Sequence, residues 1–218
     1  DDEAGRELLK ELSDRKADIK GVVIEAGHPT THKSRVMAHR QQVVRIDREV
    51  VSPTKPEIAE KLRVALQRAM TACEGALVAD YDKGVINPIS TGDLAEAAKN
   101  GRPVCVDPKP QNIGLFKGVT LISPNEDEAL RASHLTEYRA AGHWLLNNLK
   151  VEAALVTLGP RGMSLFRAAG EPMELGTFAA EDSVGDSTGC GDTVSAVFAA
   201  ALAAGGSFEE AMVLANCG

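Results

Sequence analysis

The sequence predicts an α/β protein built around a mostly parallel sheet, with one basic hairpin near the amino-terminal end. Short apolar segments alternate with amphipathic ones along most of the 218 residues, which is the pattern of strands that alternate with helices. Several apolar segments end on polar residues, as strands do where a parallel sheet meets its ligands. Between residues 31 and 48, two extended segments rich in β-branched residues follow each other without a helix, which indicates the hairpin.

In the first part of the chain, up to residue 79, the residue pattern predicts a helix, a short strand, the hairpin, a long helix and a strand, in that order. The helices have apolar residues three and four positions apart, as in Leu8, Leu9 and Leu12. The strands are short apolar or β-branched runs. The expected bounds, in the same order, are 5–12, 21–24, 31–38 with 41–48, 56–72 and 76–79.

The second part repeats this alternation, with two strands that could be antiparallel and two closing helices. Its first helix stops at Asn100-Gly101, and Gly205-Gly206 divides the last two helices. The expected helices are 91–99, 138–149, 190–204 and 207–217. The expected strands are 103–106, 119–122, 153–157, 162–166 and 173–175.

Composition and missing motifs exclude several classes of protein. The net charge of −7 and an aromatic content of 4% argue against a general nucleic-acid binder. No apolar run approaches the ~20 residues of a membrane-spanning helix. The sequence lacks G-x-x-x-x-G-K-[ST], a G-x-G-x-x-G after a strand and G-x-S-x-G, which disfavours P-loop NTPases, dinucleotide dehydrogenases and serine hydrolases. Four cysteines without C-x-x-C spacing favour reduced thiols and a cytoplasmic location.

Polar residues and glycines follow four of the predicted strands and would converge on one edge of a parallel sheet. In chain order they are Asp80, Asp82 and Lys83, then Asp107 and Lys109, then Asn125 and Glu128, then Thr157, Gly159 and Gly162. Any one of them could be an ordinary loop residue or helix cap. The recurrence at successive strand ends favours a ligand site.

The segment 186–193 (DSTGCGDT) places a glycine-flanked turn directly before an alanine-rich helix. Glycines allow backbone N–H groups to approach an anion, and the amino terminus of a helix adds partial positive charge. Asp192 in such a turn is either a helix cap or a general base beside a phosphate site. The spacing alone leaves both interpretations open.

Four segments together resemble the ribokinase (PfkB) family of sugar kinases. They are 107–109 (DPK), 125–128 (NEDE), 157–162 (TLGPRG) and 186–193, and they occur in the family's order. The resemblance covers essentially the whole chain. It implies a ribokinase-like three-layer sandwich over residues 1–218, with a small β lid at 28–50. Compared with the family pattern, the sequence begins inside the fold and ends before the last nucleotide-side loop, so we expect a domain truncated at both ends.

The resemblance assigns roles to the residues of this edge. Asp192 would be the base that deprotonates the sugar hydroxyl, and the backbone of Gly189, Cys190 and Gly191 would stabilise the transferring phosphoryl group. The expected cofactors are ATP and Mg²⁺, with K⁺ as a further candidate. The residues implied for ATP and Mg²⁺ are Asn125, Glu128 (through water), Thr157, Gly159, Gly162 and Lys109. Asp186 and Thr188 match positions that bind a monovalent cation in some relatives.

Within the family, three segments are most similar to members that phosphorylate D-glycero-β-D-manno-heptose 7-phosphate. They are 28–35 (HPTTHKSR), 41–48 (QQVVRIDR) and 79–84 (ADYDKG). Those kinases make a lipopolysaccharide precursor and often form half of a bifunctional ADP-heptose synthase. From Lys33 to Arg48 there are five basic residues and one acidic residue, a local charge of +4 that suits a sugar phosphate. A charged edge that prevents strand aggregation is a compatible explanation.

The substrate-binding residues expected from this similarity are Lys33, Arg35, Arg45, Asp80 and Lys83. In this family the lid often forms a dimer contact, so a homodimer through the hairpin is expected, with neither nucleic acid nor membrane as a partner. Two alternatives stay open. The acceptor could be fructose 1-phosphate, ribose or a nucleoside, or the chain could be a nucleotide-binding remnant without catalysis.

Overall fold

The computed structural model describes residues 1–38, 41–178 and 189–217. Its strands are β1 His32–Ala38, β2 Gln41–Arg48, β3 Ala76–Ala79, β4 Val104–Asp107, β5 Leu121–Ile122, β6 Ala153–Thr157, β7 Met163–Arg167 and β8 Met173–Leu175. Its helices are α1 Glu3–Asp14, α2 Pro56–Ala72, α3 Pro88–Lys99, α4 Glu126–Ser133, α5 Tyr138–Leu149, α6 Cys190–Ala203 and α7 Phe208–Asn216. Short 3₁₀ helices occur at Ile113–Leu115 and Gly159–Arg161.

The main sheet has six strands in the order β3-β4-β5-β6-β7-β8. The first four run parallel, whereas β7 and β8 are antiparallel to their neighbours. Residues 104–106 and 153–156 are wholly buried apolar runs, as expected for strands covered on both faces. The α/β fold with a mostly parallel sheet is therefore confirmed, and the polar residues after β3, β4, β5 and β6 follow the carboxyl ends of parallel strands.

The described chain divides into two compact units. The first comprises residues 1–69 and 83–85, and the second comprises 70–82 and 86–218. The first unit contains α1, which has no buried residue, and the antiparallel pair β1–β2. The second unit contains the six-stranded sheet and a core in which α6 and α7 pack on β4–β7.

The hairpin of the first unit has two chemically different faces. Its register pairs Ser34 with Ile46 and Val36 with Val44, so these side chains share one mostly apolar face. The other face carries Lys33, Arg35, Arg45 and Asp47, with Arg35 directly opposite Arg45. Like charges opposite each other are unfavourable without a counter-ion, and the Asp47 carboxylate contacts the Arg45 guanidinium at 2.9 Å.

Two expectations for elements of the fold need correction. Residues 21–24 do not form a strand, and Val22 and Ile24 are about half exposed (47% and 56%), so the short apolar run contributes nothing to a core. Helix α4 was not expected from periodicity, because it has only eight residues. Its start is fixed by a capping box, in which Asn125 and Glu128 each bond the other's backbone N–H. In the described ranges, no helix has both the length and the apolar character needed to span a bilayer.

Candidate active site

Asp192 lies in the first turn of α6, and Tyr81 follows the carboxyl end of β3. The phenol of Tyr81 donates a hydrogen bond of 2.9 Å to Oδ1 of Asp192, which joins residues 111 positions apart. The Tyr81 pKa is raised by partial burial and then by the hydrogen bond and charge of Asp192. The two side chains therefore form a contact between the ends of β3 and α6.

The amino terminus of α6 is built by Gly189, which has φ of 84° and no side-chain cap on the helix. Such a positive φ favours glycine, and an added Cβ on Gly189 or Gly191 would meet no atom of the described chain within 4 Å. Cys190, Gly191 and Asp192 are exposed. A helix terminus without a side-chain cap from Gly189 suits an anion, because its first N–H groups have no intrahelical acceptor.

Asp80 is buried (5% exposed) and fixes the turn that carries Tyr81. Its Oδ1 accepts from the backbone N–H of Asp82 at 2.8 Å. Its Oδ2 accepts from the backbone N–H of Lys109 at 3.1 Å and from the Asn112 amide at 2.9 Å. Both oxygens of this expected substrate-binding residue thus hold the loops after β3 and β4 together.

Lys109 and Glu128 form an ion pair of 2.5 Å between the β4 loop and α4. The other carboxylate oxygen of Glu128 accepts from the backbone N–H of Asn125, which completes the capping box. Burial acts to lower the Lys109 pKa, but the hydrogen bond and charge of Glu128 outweigh it and raise the pKa. The structure therefore brings together three of the residues expected to bind ATP and Mg²⁺, namely Asn125, Glu128 and Lys109.

Asp107 is the last residue of β4 and is influenced by the negative charges of Glu128, Asp192 and Asp80. Its pKa is raised to about 6, first by burial and then by the charge of Glu128, while Lys109 opposes the shift. Asp192 and Asp80 raise it further. Burial and the neighbouring carboxylates therefore both favour the protonated form of Asp107.

The end of β6 lies beside α4, because Asn125 and Thr157 form an isolated parallel bridge. Gly159 lies in the 3₁₀ turn that follows, with φ of 59°. Gly162 has φ of 89°, and a Cβ there would lie 2.0 Å from the carbonyl oxygen of Leu175. Close packing in the turn between β6 and β7 therefore requires glycine at position 162, independently of any role in nucleotide binding.

The remaining expected site residues belong to the first unit or fall outside the described residues. Lys33, Arg35 and Arg45 lie on the hairpin of the first unit. Lys83 also belongs to that unit, where its ammonium contacts the Glu49 carboxylate at 2.7 Å. Asp186 and Thr188 fall outside the described residues.

The roles drawn from the sequence omitted Tyr81 and Asp107. Asp107 was among the polar residues expected at the strand ends, but the resemblance assigned it no role. Tyr81 had no signal beyond its position between Asp80 and Asp82, since its contact with Asp192 depends on the tertiary fold.

The donor set at the edge fits a hydrated magnesium ion with bound phosphates. In the described ranges, no three His, Cys, Asp or Glu side chains are arranged to hold a metal directly. Mg²⁺ commonly keeps several waters and needs only one or two carboxylates. Burial first, and then the charge of Glu128, raises the pKa of Asp107, so a bound cation would stabilise its ionised form, and Lys109 is a cation at the same edge.

A family model described as pfkB family carbohydrate kinase matches residues 1–217. Bifunctional protein HldE of Trichlorobacter lovleyi is 37% identical over 222 residues, which covers 99% of this chain and 45% of that protein. The chain thus spans about half the length of the curated relatives it matches.

Solved structures give the same fold. Escherichia coli phosphofructokinase-2 in complex with potassium has a TM-score of 0.79 at 17% identity, covering 99% of this chain and 71% of that chain. Ribokinase from Thermotoga maritima has a TM-score of 0.72 at 22% identity, with 99% and 69% covered. These likenesses confirm the expected ribokinase-like fold.

Proposed function

The chain belongs to the pfkB family of carbohydrate kinases, and from this premise we propose that it transfers the γ-phosphoryl group of ATP to a sugar hydroxyl. The observation that carries the proposal is the start of α6. There, an exposed carboxylate, Asp192, adjoins a helix terminus that begins at Gly189 and has no cap from the described residues. A base next to an anion site is the arrangement that phosphoryl transfer to an alcohol requires.

In the proposed reaction, Asp192 accepts the proton of the sugar hydroxyl while the hydroxyl oxygen attacks the γ-phosphorus. The bond between that phosphorus and the β,γ-bridging oxygen breaks, and ADP leaves with the bond's electron pair. The backbone N–H groups of Gly189, Cys190 and Gly191 stabilise the negative charge of the transferring group, since they point along the axis of α6 toward its open end.

Glu128 and Asn125 are proposed to hold Mg²⁺ through water, and Lys109 to neutralise ATP phosphate charge. The metal ion supplies charge neutralisation of the phosphates. Thr157, Gly159 and Gly162 border the nucleotide in this proposal, beside the bridge that joins Thr157 to Asn125. A K⁺ requirement through Asp186 and Thr188 stays a proposal that rests on the sequence resemblance.

For the acceptor we propose the C1 hydroxyl of heptose 7-phosphate, as in lipopolysaccharide precursor synthesis. The cationic face of the hairpin supports an anionic sugar, because Arg35 lies directly opposite Arg45 and the Asp47 carboxylate offsets only one of these two charges. Lys33 lies on the same face. Asp80 and Lys83 would then act through the loops that they hold, since both already have protein partners.

The test is phosphoryl transfer by the full-length protein, with ATP, Mg²⁺ and a panel of sugar phosphates, free sugars and nucleosides. We expect turnover with heptose 7-phosphate, and a fall of about 10²–10⁴-fold in kcat for Asp192→Asn. Glu57→Gln is the matched control, because Glu57 is also an exposed carboxylate in the first turn of a helix.

Calorimetry with ATP and with heptose 7-phosphate separates the alternatives. Turnover with another acceptor but not heptose 7-phosphate would keep the kinase and reject the heptose assignment. ATP binding without sugar binding or turnover would favour a nucleotide-binding remnant. Full turnover of Asp192→Asn would show that Asp192 is not the base.

A further inference from the structure

The turn that carries Tyr81 is fixed by a buried carboxylate, whereas the Tyr81 side chain itself is about half exposed (53%). Tyr81 lies between Asp80, which is buried, and Asp82, whose backbone has φ of 53°. Asp80 closes this turn by accepting from the N–H of Asp82, and it ties the turn to the loop after β4 by accepting from the N–H of Lys109. Asp80 thus fixes the backbone of the turn, and the phenol reaches Asp192 from this turn through its own hydrogen bond.

Among the described residues, the contact engages only one of the two carboxylate oxygens of Asp192. Tyr81 donates to Oδ1, and no hydrogen bond to Oδ2 is recorded from the described residues. A carboxylate can rotate about its Cβ–Cγ bond and present either oxygen, and a fixed donor on one oxygen removes that freedom. The direction in which the other oxygen, Oδ2, points is then defined as well.

We infer that Tyr81 is a positioning residue for Asp192: its phenol anchors Oδ1, so that Oδ2 is the oxygen that faces the substrate hydroxyl. This inference rests on the proposed function of Asp192 as the base. The role is distinct from substrate binding, because Tyr81 acts through Asp192. It predicts an effect on the rate of the chemical step, with the affinity for ATP unchanged.

The first experiment compares full-length wild-type protein, Tyr81→Phe, Asp192→Asn and the double variant in steady-state phosphoryl transfer. A hydrogen bond to a charged group corresponds to a change of about 10- to 100-fold, so we expect kcat of Tyr81→Phe to fall by that factor with KM for ATP unchanged. In the Asp192→Asn background the same change should have no further effect, because the group that it positions is gone.

Tyr138→Phe is the matched control, because the chain has two tyrosines and the Tyr138 phenol also donates to a carboxylate, Glu174 at 2.6 Å. We expect this variant to keep the wild-type kcat. Equal kcat for Tyr81→Phe and wild type, or a higher kcat, would overturn the inference, the latter because it would make the phenol a competitor for the base. An equal loss in both Asp192 backgrounds would also overturn it.

A second measurement does not depend on turnover. With ¹³Cζ-labelled tyrosine, the resonance absent from Tyr81→Phe identifies Tyr81, and Asp192→Asn should shift this resonance but not that of Tyr138. No shift would show that the contact is absent in solution and would overturn the inference. If the wild type transfers no phosphoryl group while the shift occurs, the proposed function fails and the contact stands.

Discussion

Asp107 makes stability depend on pH in a direction opposite to that of most carboxylates. Its pKa is about 6 in the folded chain against an ordinary value of 3.8, with burial as the first cause. Between these values the folded state binds more protons than the unfolded state, so stability falls as pH rises through the window from 3.8 to 6. Above pH 6 the whole cost of the buried charge is present.

Asp107→Asn should therefore stabilise the protein at pH 8 and add little at pH 4. The expected gain at pH 8 is about 1–2 kcal/mol, because water partly screens a carboxyl that is not fully buried. Urea-induced unfolding at both pH values measures it, with Asp127→Asn as the control for loss of one negative charge. A gain of the same size at pH 4 and pH 8 would contradict the assigned ionisation.

At the scale of single residues, sequence patterns predicted which residues lie at the candidate site better than they predicted which side chains contact each other. Asn125, Glu128 and Lys109 could be predicted because they follow strands and belong to short motifs, and the structure brings them together. Tyr81 could not be predicted, because a hydrogen bond across 111 positions depends on how β3 and α6 are placed. The same holds for the buried role of Asp80.

At the scale of elements, the hairpin offers a test that separates two functions on two faces. Val36, Val44 and Ile46 are each about half exposed on one face, and a two-stranded sheet is marginal without a partner. We expect this face to contact a second copy of the chain. Ile46→Glu should then shift the protein from dimer to monomer in sedimentation velocity.

Arg35→Glu is the matched change on the opposite face, directly before Val36 in the same strand. It should leave the dimer intact and raise KM for an anionic sugar, since it replaces a cation with an anion. A wild-type protein that is monomeric, or a dimer that persists in Ile46→Glu, would reject the apolar face as the interface.

Elements were predictable in proportion to their length and periodicity. The spacing of apolar residues gave α2 and α5 their observed bounds, because each has several turns with apolar residues three and four positions apart. The expected strand at 21–24 failed because four apolar-rich residues carry no information about a pairing partner. Helix α4 was missed because it has eight residues, and its capping box was interpreted only as part of a motif.

At the scale of the whole molecule, the buried apolar side chains are concentrated in the second unit. Among those in the described ranges, Ile58 alone belongs to the first unit. Amides of β4 and β6, whose apolar residues are wholly buried, should exchange with solvent only on global unfolding of the second unit. Amides of α1, which has no buried residue, should exchange through local opening.

Two helical glycines test whether packing onto the sheet governs that global unfolding. Gly142 lies within α5, where an added Cβ would be 2.4 Å from Cε2 of the wholly buried Phe166. Gly92 lies within α3, where a Cβ would meet nothing within 4 Å. Gly142→Ala should destabilise the protein by about 1–3 kcal/mol through overpacking. Gly92→Ala should stabilise it by about 0.5–1 kcal/mol through helix propensity.

Urea unfolding measures both changes, and hydrogen exchange locates them. The loss in Gly142→Ala should appear as faster exchange of the β6 amides, because Phe166 lies on β7 and its partner in the register is Ala154 on β6. The exchange of α1 should stay unchanged, because α1 opens locally in either case. If both alanine variants were stabilising, helix propensity would outweigh the close approach of α5 to the sheet, and the tight packing at Gly142 would not limit the stability of the second unit.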